Sequence, residues 1–220
     1  MKDWIEDDNI NYEYIIRYIR ETIPETEGHI REMEIFAKEN DVPISQPESI
    51  RMIEILIKMM NAKKILEIGA AIGYSSIRMS LANNARVTTI EISDEMAEIA
   101  KENIKKEGLE GRIQLITGDA KDILPEIKND GTYDIIFIDA AKGQYMEFFP
   151  HCMRLLRKGG VLISDNVLYK GMTATDELVV RRKITIVRRL RAYLKMLNET
   201  KELSTAILPI GDGVAISFKG

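Results

Sequence analysis

The chain has 220 residues, 45% of them hydrophobic, and a formal net charge of −4. That is enough for one domain with a full core, and the acidic balance argues against a general nucleic-acid binder. A single cysteine, Cys152, excludes a disulfide framework within the chain and a cysteine-rich zinc site.

Cys152 follows His151 in an amphipathic segment and reads as packed rather than nucleophilic. No apolar run approaches the ~18 residues that suggest a membrane span. The acidic start MKDWIEDDNINYEY lacks the basic-then-apolar order of a signal peptide. A cytoplasmic protein with no membrane segment is expected.

In chain order, the pattern predicts a helical preamble over residues 1–60. A first helix begins at about Asn9, with Ile10, Tyr14, Ile15 and Tyr18 on one face. Pro24 and Gly28 bracket a break, and a second helix runs from about Glu25 to Glu39. Residues 40–45 form a loop in which Pro43 keeps Val42 extended. A third helix, Pro47 to Met60, carries Ile50, Ile53, Leu56, Ile57 and Met60 at helical spacing.

Strands and helices then alternate. Strands are expected at 64–68, 86–92, 112–117, 133–138 and 161–164. Helices are expected at 73–83, 94–107, 121–128, 143–157 and 179–198, with Ser93 or Asp94 as a cap, Gly108 as a stop, and Lys158-Gly159-Gly160 ending the helix over 143–157. Such alternation means a parallel sheet with helices on both faces. The run TAILPIGDGVAISF closes the chain as a hairpin turning at Gly211-Asp212-Gly213. One domain results, with a cap over 1–60 and a Rossmann-like α/β core over 61–220.

The chemistry begins at residues 64–76, KILEIGAAIGYSS. A buried strand ends in a glycine turn, Gly69 and Gly73, and opens a helix; glycine lets backbone approach a ligand where a Cβ would block it. Glu91 ends the next strand twenty-two residues after Gly69. A glycine turn followed by an acid about 20 residues on suits a nucleoside cofactor, with the carboxylate on the ribose hydroxyls. The spacing G-x-x-x-G is not the dinucleotide fingerprint, and Glu67 inside the strand sits badly beside a pyrophosphate. Glu67 suits a ligand of cationic character, such as S-adenosylmethionine. The same two glycines also suit a plain strand–helix turn.

In open parallel sheets ligands bind beyond the carboxyl ends of the strands. Acids gather there: Glu67, Glu91, Asp139 and Asp165, with Asp119 two residues past the third strand. Asp139, Asp165 and Asn166 are all oxygen donors without a His or Cys partner, which suits a hard cation such as magnesium. Lys142, three residues past Asp139, is placed to meet the same substrate oxygen. The segment 181–195, RRKITIVRRLRAYLK, is the one dense basic run in the sequence. It reads either as a phosphate-binding surface or as the solvated face of an amphipathic helix whose Ile184, Val187, Leu190 and Leu194 are buried.

Three strings, EIGAAIGYSS, FIDAAKGQY and DNVLYKG, resemble the cation-dependent class I O-methyltransferases, the group of the catechol and caffeoyl-coenzyme A enzymes. The resemblance spans nearly the whole chain. It implies a seven-stranded, mostly parallel sheet with an antiparallel carboxyl-terminal strand, S-adenosylmethionine as donor, a divalent metal and a homodimer. It places Glu67, Gly69, Ser75, Glu91, Asp119, Ala120 and Asp139 around the donor, with Ile44 or Ser45 reaching in from the preamble. It makes Asp139, Asp165 and Asn166 the metal ligands and Lys142 the base.

Ala140-Ala141 departs from the bulky aromatic that the catechol enzymes carry beside this lysine. Within the family, IDAAKGQY with DNVLYKG is similar to bacterial tRNA 5-hydroxyuridine methyltransferases. That resemblance implies methylation of the wobble uridine, position 34, to 5-methoxyuridine. A small catechol-like or phenolic metabolite is the alternative acceptor. For tRNA, the expected phosphate contacts are Arg181, Arg182, Arg188, Arg189 and Lys170, and Tyr169 is placed to stack on a base.

Overall fold

The computed structural model describes residues 10–128 and 130–220. The acidic start and the helix onset at Asn9 lie outside the described residues. The preamble comprises α1 (Glu13–Thr22), α2 (Gly28–Glu39) and α3 (Pro47–Met59). The core follows as β1 (Lys64–Ile68), α4 (Tyr74–Asn83), β2 (Arg86–Glu91), α5 (Asp94–Lys106), β3 (Ile113–Thr117), α6 (Ala120–Glu126) and β4 (Tyr133–Ile138). Then come α7 (Tyr145–Leu155), β5 (Leu156–Ser164), α8 (Ile184–Glu199), β6 (Leu203–Leu208) and β7 (Val214–Lys219).

The seven strands form one sheet in the order β3-β2-β1-β4-β5-β7-β6. The first five run parallel, and β7 pairs antiparallel with both β5 and β6. Strands β1 and β4 are largely apolar on both faces, with Glu67 and Asp134 as exceptions, because helices cover both sides. Ile65, Leu66 and Ile68 of β1 and Ile135 to Ile138 of β4 are all buried. One core cluster joins α2, α3, α4 and α5 to one face, and a second joins α6, α7 and α8 to the other.

Local signals account for the helix ends. Pro47 stands in the first turn of α3, where its missing N–H costs nothing. Ser93 caps α5 by accepting the Met96 N–H at 3.3 Å, and Asp94 and Glu95 oppose Lys105 and Lys106 along the helix dipole. Gly108, at φ +65°, ends it.

Several boundaries and faces differ from the sequence reading. In α1 the buried residue is Ile16, while Tyr14 and Tyr18 are 68% and 69% exposed, so the apolar face lies one position on from the one expected. Helix α2 begins at Gly28 rather than Glu25, after Gly28 itself turns at φ +58°. Strand β5 begins at Leu156, not Val161, and takes in Lys158-Gly159-Gly160. Gly159 adopts φ +74° where the pairing with β4 shifts register, so glycine here makes an irregularity inside a strand rather than a helix stop. The basic segment opens as a 3-10 turn, Arg181–Lys183, before α8 starts at Ile184. In α8 the fully covered residues are Val187, Leu190, Tyr193 and Leu197; Ile184 and Leu194 are only half-buried.

Cys152 is buried, and burial pushes its thiol up to about 12, which fits a packing role. No helix among the described residues is long and apolar enough to cross a membrane.

Candidate active site

The strand order reverses between β1 and β4, and the crevice at such a switch point is where an open α/β sheet takes its ligand. Gly69 lies at that point with φ +100°, and a Cβ built on it would lie 2.0 Å from the backbone oxygen of Asp139. The turn therefore packs directly against the end of β4. Gly73 serves a different purpose: at φ +82° it starts α4, and a Cβ built on it would lie 3.2 Å from the Cβ of Ala100 in α5. Gly69→Ala adds both a backbone clash and a strained φ, so a loss of at least ~3 kcal/mol is expected in denaturant unfolding, if the variant folds at all.

Glu67 is fully buried within β1. One carboxylate oxygen accepts from Thr89 Oγ1 at 2.6 Å and from the Ser76 hydroxyl. The other, Oε1, has no hydrogen-bond partner among the described residues. Burial pushes Glu67 up to about 7, against the opposing pull of the Ser75, Ser76 and Thr89 hydroxyls. Such a group lacks a countercharge.

Ser75 is buried in the first turn of α4, beside Ser76. The sequence reading named Ser75 but missed Ser76 and Thr89. The serine pair was visible; Thr89 is set by register, since it stands opposite Glu67 across the β1–β2 ladder.

Glu91 ends β2 and folds back on the glycine turn. Its carboxylate accepts the N–H groups of Ala70 and Ala71 at 3.1 and 2.7 Å and that of Ser93 at 2.8 Å. Asp119 caps α6 through the Lys121 N–H at 2.9 Å, and Ala120 is buried behind it. Ser45 of the preamble is buried, and its hydroxyl has no partner among the described residues; Ile44 is half-buried next to it.

Asp139 and Asp165 end neighbouring strands. The Asp139 N–H donates to the Ile68 carbonyl and the Asp165 N–H to the Ile138 carbonyl, both at 2.9 Å. Burial raises both carboxyls above the usual range, and the Asp139 charge adds to the rise at Asp165. Asn166 follows in the left-handed region at φ +53°, which asparagine tolerates. Lys142 Nζ donates to Asn166 Oδ1 at 3.0 Å and lies 5.8 Å from the centre of the Tyr169 ring. The three oxygen donors and the lysine picked out in the sequence therefore share one corner of the crevice.

The basic segment divides by role. Arg189 donates to the Gly143 carbonyl at 3.0 Å and ties α8 to the turn that carries Lys142. Arg191 holds the 172–176 loop through the Met172 and Thr173 carbonyls, at 3.1 and 2.9 Å, and through Asp176. Arg181, Arg182 and Arg188 are exposed. Of the expected phosphate contacts, Arg189 is thus already committed in part to the fold.

A protein-family model described as O-methyltransferase matches residues 23–219. A catechol O-methyltransferase from Niastella koreensis is 38% identical over 67% of this chain and 68% of its own length. Caffeoyl-CoA O-methyltransferase 1 of Arabidopsis thaliana is 32% identical over 98% of this chain and 86% of its own. Among solved structures, the O-methyltransferase from Bacillus cereus in complex with SAH has a TM-score of 0.83 at 27% identity, covering 94% of this chain and 97% of that one. The chain belongs to the O-methyltransferase family, and its sheet is the Rossmann-like methyltransferase fold.

Proposed function

We propose that this protein is an S-adenosylmethionine- and divalent-cation-dependent O-methyltransferase acting on a ring hydroxyl beside a second ring oxygen. The observation that carries the reading is the convergence of Asp139, Asp165, Asn166 and Lys142 beside a turn that excludes a Cβ. Support for the donor comes from Glu67, whose buried oxygen without a partner suits a cationic ligand, and from the SAH bound by the Bacillus cereus relative. Bound in the crevice, S-adenosylmethionine would supply a sulfonium methyl for transfer to an acceptor oxygen, leaving S-adenosylhomocysteine. Glu91 and the Gly69 turn would hold its nucleoside part, and Ser45 and Ser75 its amino-acid part.

Two carboxylates and an amide oxygen form the donor set a hard cation prefers, and the raised state of both carboxyls fits a pair lacking its countercharge. Asp139, Asp165 and Asn166 would hold a divalent cation, which would supply a lowered pKa at the acceptor hydroxyl and a fixed orientation for it. Lys142, as the neutral amine, takes up the hydroxyl proton and becomes the ammonium as the oxygen becomes a nucleophile. Without the cation, the Asn166 side-chain oxygen holds the Lys142 amino group at that place.

For the acceptor, we infer 5-hydroxyuridine at position 34 of tRNA. Its adjacent hydroxyl and carbonyl offer the required pair of oxygens. The support is the exposed trio Arg181, Arg182 and Arg188, which follows the loop beside the site. A small catechol-like acceptor is the second reading, favoured by the 38% identity to a catechol enzyme. Replacing the three arginines by glutamate is expected to lower tRNA turnover by at least ~10-fold and flatten its salt dependence, because each lost phosphate contact removes about one unit of salt slope. Turnover of a small phenol should be unchanged. An unmodified chain that methylates only phenols would reject the tRNA assignment.

A further inference from the structure

The tip of the closing hairpin is built into the site. Leu168 N–H donates to the Asp212 carbonyl at 3.0 Å and Val167 N–H to the Gly213 carbonyl at 2.9 Å. The Asp212 carboxylate also accepts the N–H of Lys170. Between these bonds the backbone does something costly: Tyr169 and Lys170 both adopt left-handed φ, +48° and +54°. Neither residue type favours that region, so the surroundings must hold it. Gly213 leaves the room for this, since a Cβ there would lie 2.3 Å from Leu168 Cγ. The tip is itself seated on the preamble: Asn11 Nδ2 donates to the Pro209 carbonyl at 2.7 Å, and Gly211 packs against Gln46 and Ser49.

The product of this bracing is the position of Tyr169. Its ring centre lies 5.8 Å from Lys142 Nζ and 5.5 Å from Lys183 Nζ. A ring this close to two lysine Nζ atoms restrains both, by cation–π attraction whenever they are protonated. We propose that Asp212 is a positioning residue for methyl transfer: it latches the Val167–Thr173 loop and thereby sets Tyr169 against the base. Asp212 acts through the Lys170 amide and not on the donor. The proposal rests on the reading of Lys142 as the base, yet the latch itself can be measured without any acceptor.

The experiment compares Asp212→Ala and Asp212→Asn with the unmodified full-length protein. Asparagine keeps an oxygen that accepts the Lys170 N–H; alanine does not. In Asp212→Ala, amide exchange over 167–173 should rise at least ~10-fold, centred on Lys170, since local opening loses the side-chain bond that holds the middle of the loop. In the same variant the acceptor kcat/KM should fall ~10- to 100-fold, while SAH affinity stays within about twofold. Asp212→Asn should restore both.

Unchanged loop exchange in Asp212→Ala, an equal loss of SAH binding, or failure of Asp212→Asn to rescue would each overturn the latch. If the unmodified protein turned over neither tRNA nor phenols, the exchange comparison would still decide the latch, and the failure would count against the proposed function. Should Asp212→Ala not fold, Asp212→Asn against Asp212→Ser, which is too short to reach the amide, makes the same comparison.

Discussion

Asp165→Ala is expected to lower methyl transfer by at least ~1,000-fold, equivalent to about 4 kcal/mol of transition-state stabilisation. The carboxylate ends β5 beside Asp139, and the proposed cation needs both to stay beside Asn166 and the acceptor oxygens. A chelator should abolish the activity of the unmodified protein, and added magnesium should restore it.

The same substitution should leave the ligand-free fold intact or firmer. Asp165 is a buried acid whose charged form is disfavoured first by burial and then by Asp139. Removing one of two repelling groups relieves that cost, whereas breaking an attractive pair would add one. The measurements are turnover of labelled donor with magnesium present and thermal melting without it. Full turnover in Asp165→Ala would end the metal assignment; a collapsed melting transition would instead make the residue structural.

Glu67→Gln is the second large effect, and it carries a pH signature. Folding raises this carboxyl from its ordinary 4.5 to about 7. The folded protein therefore binds the proton more tightly than the unfolded chain does. That contribution to stability is complete below the unfolded value and is lost as pH rises through the folded one. The span corresponds to about 3 kcal/mol. Without ligands, Glu67→Gln should thus melt above the unmodified protein at pH 8, and the gap should close towards pH 5.

Donor binding should show the converse. A cationic ligand favours the ionised carboxylate, so affinity should climb up to about tenfold per pH unit below 7 and level off above it. In Glu67→Gln the affinity should be weaker and flat with pH. Calorimetry with S-adenosylmethionine across pH 5.5 to 8.5 reads both. A pH-independent affinity in the unmodified protein would show that Glu67 does not face the sulfonium end of the donor.

The two predictions rest on different parts of the crevice. In the proposed reaction Asp165 serves the acceptor side, next to β5, and Glu67 the donor side, under the glycine turn. An Asp165 variant that binds donor normally and a Glu67 variant that binds cation normally would separate the halves.

The sequence alone determined the alternation of strands and helices, the sheet edge on which the acids gather and the identity of the oxygen donors. These are local matters: apolar period, glycine turns, caps, and acids placed at strand ends are written in consecutive residues. It also carried the family, through three strings at three strand ends. Tertiary structure decided whatever depends on which segments meet. Thr89 reaches Glu67 only because β1 and β2 pair in one particular register.

Arg189 and Arg191 look like phosphate ligands in the run 181–195, but packing turns them onto the backbone of the active-site loop and of the Lys142 turn. Gly159 reads as a helix stop until β4 is found beside it. Asp212, a turn residue by its neighbours Gly211 and Gly213, becomes a brace because the antiparallel β7 returns the chain to β5. Contacts between residues 42 positions apart, such as Lys170 and Asp212, have no period or spacing to reveal them; only closure of the sheet brings them together.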